Sequence, residues 1–192
     1  MTIEYYYLCD NPDEEISENI IRNANLKQGN YDTLYNQIKS NPNFCKEKEQ
    51  SGIDYNFFLE NIGKDPTVYI IDTDIQDINK NIVGATFFCS GPFLMIFGIC
   101  VPIKSDKKYG TLLINKLKQL AYGIGSRGIA LSTIRYNIEF YKKNGFEIFT
   151  DDINLDNAIS MIYYINTSGG KRCISKSRKK RRIKHCKRKT RK

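Results

Sequence analysis

Phe93-Leu94-Met95-Ile96-Phe97-Gly98-Ile99-Cys100-Val101-Pro102 runs directly into Ile103-Lys104-Ser105-Asp106-Lys107-Lys108-Tyr109-Gly110-Thr111, and this junction decides how the chain folds. The first segment has no polar alternation, the pattern of a central strand covered on both faces. Gly98 interrupts it, and a mid-strand glycine marks a bulge or a close approach of a ligand to the backbone. Pro102 ends the strand. From Gly110 onward, Leu113, Ile114, Leu117, Leu120, Ala121 and Ile124 recur at helical spacing, and Gly123 and Gly125 stop the helix.

Working outward, residues 82–89 form a second apolar run, joined to the first through the tight turn Ser90-Gly91-Pro92. Residues 67–71 read as the strand before it, with a polar turn over 72–81. Downstream, 129–134 is a β-run, 136–144 a short helix, 146–149 a strand and 158–165 the last strand. At the other end, the Tyr-rich stretch 3–9 reads as a first strand. Asp10-Asn11-Pro12-Asp13-Glu14-Glu15 has the capping side chains, early proline and first-turn acids of a helix start. Ile16, Ile20 and Ile21 supply that helix with its stripe. A second helix fits 31–39, stopped before Pro42. Residues 44–63 read ambiguously, with Tyr55, Phe57, Phe58 and Leu59 expected to be buried. The fold class is α/β.

Charge divides the chain in two. Residues 171–192 hold 14 Lys/Arg and no acid, which leaves 16 Lys/Arg against 21 Asp/Glu in the rest. The body is therefore mildly acidic, and the net charge of +9 belongs to the tail. With 41% apolar residues the body can bury a core, while the tail cannot fold alone. We expect one domain over 1–168 and a disordered basic tail over 169–192, with Gly169-Gly170 as the hinge. Tail Lys/Arg density suits nonspecific nucleic-acid contact through 171–192 or a nuclear-import signal, and its composition resembles tails of proteins from large DNA viruses. A solubilising tail with no specific partner is the plainer reading. The tail lacks aromatics, so base stacking is not expected.

Six cysteines (Cys9, Cys45, Cys89, Cys100, Cys173 and Cys186) show no CxxC pair. Cys89 and Cys100 lie in apolar runs, where a thiol acts as a small hydrophobe. Free thiols in a reducing, intracellular compartment are expected, cytoplasmic, nuclear or virion-borne. The one histidine, His185, is in the tail, so no metal site is expected. No signal peptide is expected at the N-terminus. The longest apolar run is too short to cross a bilayer, so no membrane partner is expected.

Two constellations could carry chemistry. The turn 102–111 feeds a helix N-terminus, where the first N–H groups lack intrahelical partners and the dipole is positive, so it suits a phosphate. Gly110 lets an anion approach the backbone, and Lys104, Lys107 and Lys108 add charge. An ordinary loop with solvated lysines would look the same. In the second, Phe140-Tyr141-Lys142-Lys143-Asn144-Gly145-Phe146-Glu147, Gly145 fits the left-handed position after a helix end. Phe146 would then fold back on Phe140 or Tyr141, and a capped helix accounts for the whole string.

Together and in this order, the two resemble the GNAT superfamily of N-acetyltransferases over residues 66–165. Ile99-Cys100-Val101-Pro102 is similar to the family's Val-x-Pro-like strand end. Phe140-Tyr141-Lys142-Lys143-Asn144-Gly145-Phe146 matches its Phe/Leu-Tyr-x-x-x-Gly-Phe closely. Its pyrophosphate loop, Gln/Arg-x-x-Gly-x-Gly/Ala, aligns in two registers. The preferred one makes Gly110 the last glycine, with Ser105 at the Gln/Arg position and Lys108 at the first glycine. The other puts Lys107 at Gln/Arg, Gly110 at the first glycine and Leu112 last. The family's Asn before the helix would fall near Ile134, not at Asn137.

The resemblance implies a mixed, mostly antiparallel sheet with helices on both faces and a central strand splay. It implies acetyl transfer from acetyl-CoA to an amine acceptor, a small molecule or a protein. Backbone groups of Ile99, Cys100 and Val101 would bind pantetheine and polarise the thioester. Amides of Lys107, Lys108, Tyr109, Gly110 and Thr111 would hold the pyrophosphate, and Tyr141 would protonate the departing thiolate. Glu139, Asp72, Asp74 or a carboxylate of Asp151-Asp152 would act as general base, and the residues leave this choice open. The other reading is a weak or inactive GNAT-fold binding module tethered to nucleic acid by its tail.

Overall fold

The computed structural model describes residues 2–10, 16–41, 44–45, 55–102, 108–149 and 158–165. The domain boundary expected near 168 and the basic tail lie outside these residues.

Eight strands make one sheet in the order β2-β1-β3-β4-β5-β6-β8-β7. They are β1 (Ile3–Leu8), β2 (Lys27–Gln28), β3 (Thr67–Asp72), β4 (Ile82–Cys89), β5 (Leu94–Cys100), β6 (Gly128–Thr133), β7 (Glu147–Ile148) and β8 (Ile159–Tyr164). Only β1/β2 and β5/β6 run parallel; the other pairs are antiparallel. The expected mixed, mostly antiparallel sheet is what forms. Two elements are shorter or newer than the sequence pattern implies. The strand read over 146–149 pairs only at Glu147 and Ile148. The two-residue β2 leaves no periodicity to read.

Among the described residues five α-helices flank the sheet: α1 (Glu18–Asn23), α2 (Tyr31–Ser40), α3 (Tyr55–Asn61), α4 (Tyr109–Gly123) and α5 (Ile138–Lys143). The helix expected to start near Asp10 begins, among the described residues, at Glu18, and residues 11–15 lie outside them. The core has two parts, one on each face. Ile16 and Ala24 at α1 and the stripe Leu113, Ile114, Leu117, Leu120 and Ala121 of α4 pack on one face with Val68, Ile70, Leu94, Ile96, Ile129 and Leu131. Leu34 and Ile38 of α2 and Phe58 of α3 pack on the other with Tyr69, Ala85, Phe87 and Cys100. Lys116 of α4 is buried and donates from Nζ to the Ala24 carbonyl at 2.6 Å, with Tyr5 beneath it at 4.2 Å. Burial lowers its pKa, and the hydrogen bond and ring satisfy the charge where the two helices meet.

Three expectations are corrected. Strand β5 is not covered on both faces: Met95 is 39% exposed and Phe97 48%. The continuous apolar run conceals an alternation of buried and exposed apolar residues. Phe57, expected to be buried, is likewise half exposed, although Phe58 beside it is buried. The reading of free thiols fails at Cys45 and Cys100, which are joined in a disulfide with Cα atoms 5.2 Å apart. The bonded residues are 55 positions apart, so no local spacing could announce the pair. Cys9 and Cys89 are in no disulfide. Among the described residues no helix is long and apolar enough to cross a membrane.

Candidate functional site

The bulge that Gly98 announces is present. On β4, Phe88 pairs with Ile96 and Phe87 with Gly98, so Phe97 is the extra residue. A one-residue insertion flips every side chain that follows. Leu94 and Ile96 therefore join the α4 face, whereas beyond the bulge Ile99 and Val101 pack on that face and Cys100 on the opposite one.

The splay follows from the register on the other edge. Strands β5 and β6 pair only over Leu94–Ile96 and Ile129–Leu131, although β5 continues to Cys100 and β6 to Thr133. From Phe97 onward the β5 backbone has β4 on one side and, among the described residues, no ladder on the other. An extended backbone with one open edge can accept an extended amide-containing chain as if it were a further strand.

Helix α4 begins beside this opening. Its first intrahelical bond of the described residues runs from the Leu112 N–H to the Lys108 carbonyl at 3.1 Å. The N–H groups of Tyr109, Gly110 and Thr111 precede that ladder, and Lys108 caps the helix with no side-chain hydrogen bond. Lys108 is exposed. Lys104 and Lys107 lie outside the described residues. Two features of this turn are set by packing. The Tyr109 side chain turns into the core, where its hydroxyl donates to Asp72 Oδ2 at 2.7 Å. Only its backbone is left to face a ligand. Gly110 makes room for protein as well: a β-carbon there would lie 3.0 Å from Phe140 Cζ and 3.3 Å from Cε2. The start of α4 and the Phe-Tyr-x-x-x-Gly-Phe helix thus touch through Gly110 and Phe140, a contact between positions 30 residues apart that no local pattern reveals.

The cap on α5 forms as expected. Gly145 has φ 83°, its N–H donates to the Lys142 carbonyl at 2.9 Å, and the Phe146 N–H to that of Tyr141 at 3.0 Å. Phe146 is buried with its ring 5.7 Å from that of Tyr141, at an interplanar angle of 71°. Phe140 lies 5.0 Å from Tyr141 on another side. Between these rings burial pushes the Tyr141 phenol up to about 12. The group is a neutral donor at any physiological pH, and its hydroxyl makes no hydrogen bond with a described residue. Ile99, Val101, Phe140 and Tyr141 all pack against the same core as Tyr109 and Phe146. The structure therefore gathers the strand end, the helix start and the tyrosine on one side of the sheet.

The candidate bases fare unequally. Asp72 is fully buried, accepting from Tyr109 and, through Oδ1, from the Asp74 N–H at 3.1 Å. It braces the first turn of α4 against the end of β3. Glu139 is exposed and ion-paired with Lys142 at 3.0 Å. Asp74 is exposed, and its Oδ2 accepts from the Thr2 N–H at 3.3 Å. Asp151 and Asp152 lie outside the described residues. Among the described residues, no group of three or more His, Cys, Asp or Glu could hold a metal ion.

No protein-family model matches the chain. No curated protein matches it either. Solved structures do match. The aminoglycoside 6'-acetyltransferase type Ii is 19% identical over 85% of this chain and 97% of its own, with a TM-score of 0.53. The catalytic domain of a Tetrahymena histone acetyltransferase, in complex with coenzyme A, is 12% identical over 85% of this chain and 93% of its own, at 0.52. A streptothricin acetyltransferase from Bacillus anthracis, in complex with acetyl coenzyme A, is 24% identical with a TM-score of 0.45, and this chain spans 62% of its length. The first two likenesses show that the chain shares the fold of these acetyltransferases.

Proposed function

We propose that the chain is an acetyl-CoA-dependent N-acetyltransferase acting on an amine. The observation that carries this reading is the open β5 edge from Phe97 to Val101, beside the α4 amides that precede its helical ladder and the Tyr141 hydroxyl, which bonds to no described residue. An acetyl thioester with a phosphate-bearing tail needs these three things in this order: an extended amide edge, an anion site and a proton donor.

Ile99, Cys100 and Val101 hold pantetheine through their backbone groups, and their amides are the donors available to a thioester carbonyl. The amides of Lys107, Lys108, Tyr109, Gly110 and Thr111 hold the pyrophosphate, with Lys108 adding charge at the rim. Acetyl-CoA supplies the activated acetyl group and leaves as a thiol. Tyr141 keeps its proton in the resting site and gives it to the thiolate. The acceptor must be neutral to attack, and positioning it beside the acetyl group provides a large share of the acceleration. The domain comprises residues 1–168. Residues 169–192 form a separate basic tail that contacts nucleic acid through its phosphates, without base recognition.

One observation favours the alternative of a binding module with little or no activity: the Phe140 ring fills the space a side chain at Gly110 would take, so packing alone accounts for the glycine. An assay of radiolabelled acetyl transfer over a panel of amines decides between the two. The panel holds a protein lysine, a peptide N-terminus, a polyamine and an aminoglycoside. Transfer to at least one is expected. Tight acetyl-CoA binding with no transfer to any would favour the binding module.

A further inference from the structure

We propose that the Cys45–Cys100 pair is a reversible redox site that controls acetyl-CoA binding by clamping the end of β5. This rests on the reading that the open β5 edge binds the cofactor.

Cys100 is the last residue of β5, 1% exposed, and Cys45 is 3% exposed. One residue from Cys45 and two from Cys100, Phe44 and Pro102 form an antiparallel bridge, and Phe44 is fully buried. Residues 44 and 45 therefore lie across the strand end and hold it from the α2 face. The strand needs such a hold. Beyond Ile96 it has lost β6, and only Phe87, Thr86 and Ala85 of β4 pair with Gly98, Ile99 and Cys100. An edge with one ladder opens more readily than one with two. The clamp supplies the second attachment at the end of the strand.

Cys45 shows what happens when the clamp opens. Its φ is 56°, a left-handed conformation that a β-carbon disfavours. Such a residue stays there only while its surroundings over-determine it, here through the bonded sulfur and buried Phe44. Once the sulfur is released, the backbone at 45 relaxes and β5 keeps only β4. Two arrangements of one short segment thus bias the strand whose amides hold the thioester.

The chemistry balances with a small thiol such as glutathione. Its thiolate attacks one sulfur of the pair, the S–S bond breaks, and a mixed disulfide and one protein thiolate form. The protein thiolate takes a proton. A second small thiolate attacks the mixed disulfide, releasing glutathione disulfide and the other protein thiol. Two electrons and two protons end on the protein, and glutathione disulfide reverses the sequence. Because binding and oxidation are linked, acetyl-CoA also protects the disulfide from reduction by the same factor.

The test uses the full chain, oxidised with glutathione disulfide or reduced with dithiothreitol, its thiols counted under denaturing conditions. Calorimetry then measures acetyl-CoA affinity, and hydrogen exchange follows the amides of residues 97–100. The oxidised chain is expected to bind about fivefold tighter or more, and reoxidation to restore the loss. Amide exchange should quicken on reduction. Cys45→Ser should behave as the reduced chain whatever the reductant. Equal affinity in the two states overturns the proposal, as do two free thiols at Cys45 and Cys100 after oxidation. If neither state binds acetyl-CoA, the catalytic reading fails, and the exchange comparison still decides the clamp: unchanged exchange overturns it.

Discussion

Tyr141 gains its proposed role from its surroundings. A phenol ordinarily ionises at 10.0, and burial among Phe140 and Phe146 moves this one to about 12. Tyr141→Phe removes the proton and little volume, so turnover should fall roughly 10²-fold while acetyl-CoA affinity holds within about twofold. The ratio of wild-type to variant turnover should stay level through pH 10 and shrink as pH approaches 12, where the wild-type hydroxyl ionises. A ratio near one at neutral pH would remove Tyr141 from the reaction. Stability carries the matching sign. Between pH 10 and 12 the unfolded chain has lost this proton and the folded chain has kept it, so stability falls as pH rises. Tyr141→Phe should flatten that portion of a pH–stability curve.

At the scale of elements, the coupling of α4 to α5 runs through Gly110 and Phe140. Gly110→Ala improves helix propensity by up to about 1 kcal/mol but crowds the Phe140 ring, and overpacking costs about 1–3 kcal/mol. The crowding should win, for a net loss of about 1 kcal/mol in chemical denaturation. Pairing it with Phe140→Leu should recover most of that loss in a double-mutant cycle; strict additivity would refute the contact. Elements of this kind mark the boundary of what was legible. The α4 stripe, the Gly145 cap and the order of strands from 67 onward could be read because each rests on residues a few positions apart. The bulge was announced by Gly98, but its consequence was not. Phe97 turns one apolar run into two registers, so Ile99 and Cys100 face opposite cores. The exposure of Met95 and Phe97, the inward turn of Tyr109 onto Asp72 and the Cys45–Cys100 bond all depend on distant partners. Periodicity carries no information about those.

Across the whole molecule, charge and fold are separable. The helix 138–143 and its cap carry the string that resembles the acetyltransferase motif, while the turn into α4 resembles the family's loop less closely. Amide N–H groups are common to every residue except proline, so a degenerate loop can still present them. The proposed basic tail is tested separately. Deleting residues 169–192 should abolish salt-sensitive binding to duplex DNA in a fluorescence anisotropy titration and leave acetyl transfer to a small amine unchanged. Lost transfer would make the tail part of the active site.

The most direct test of the account is a calorimetric titration of acetyl-CoA into the disulfide-linked full chain at two temperatures. The account predicts one saturable site, with a dissociation constant below millimolar, weakened when Lys108 is replaced by Glu. No heat at either temperature with millimolar acetyl-CoA would contradict it.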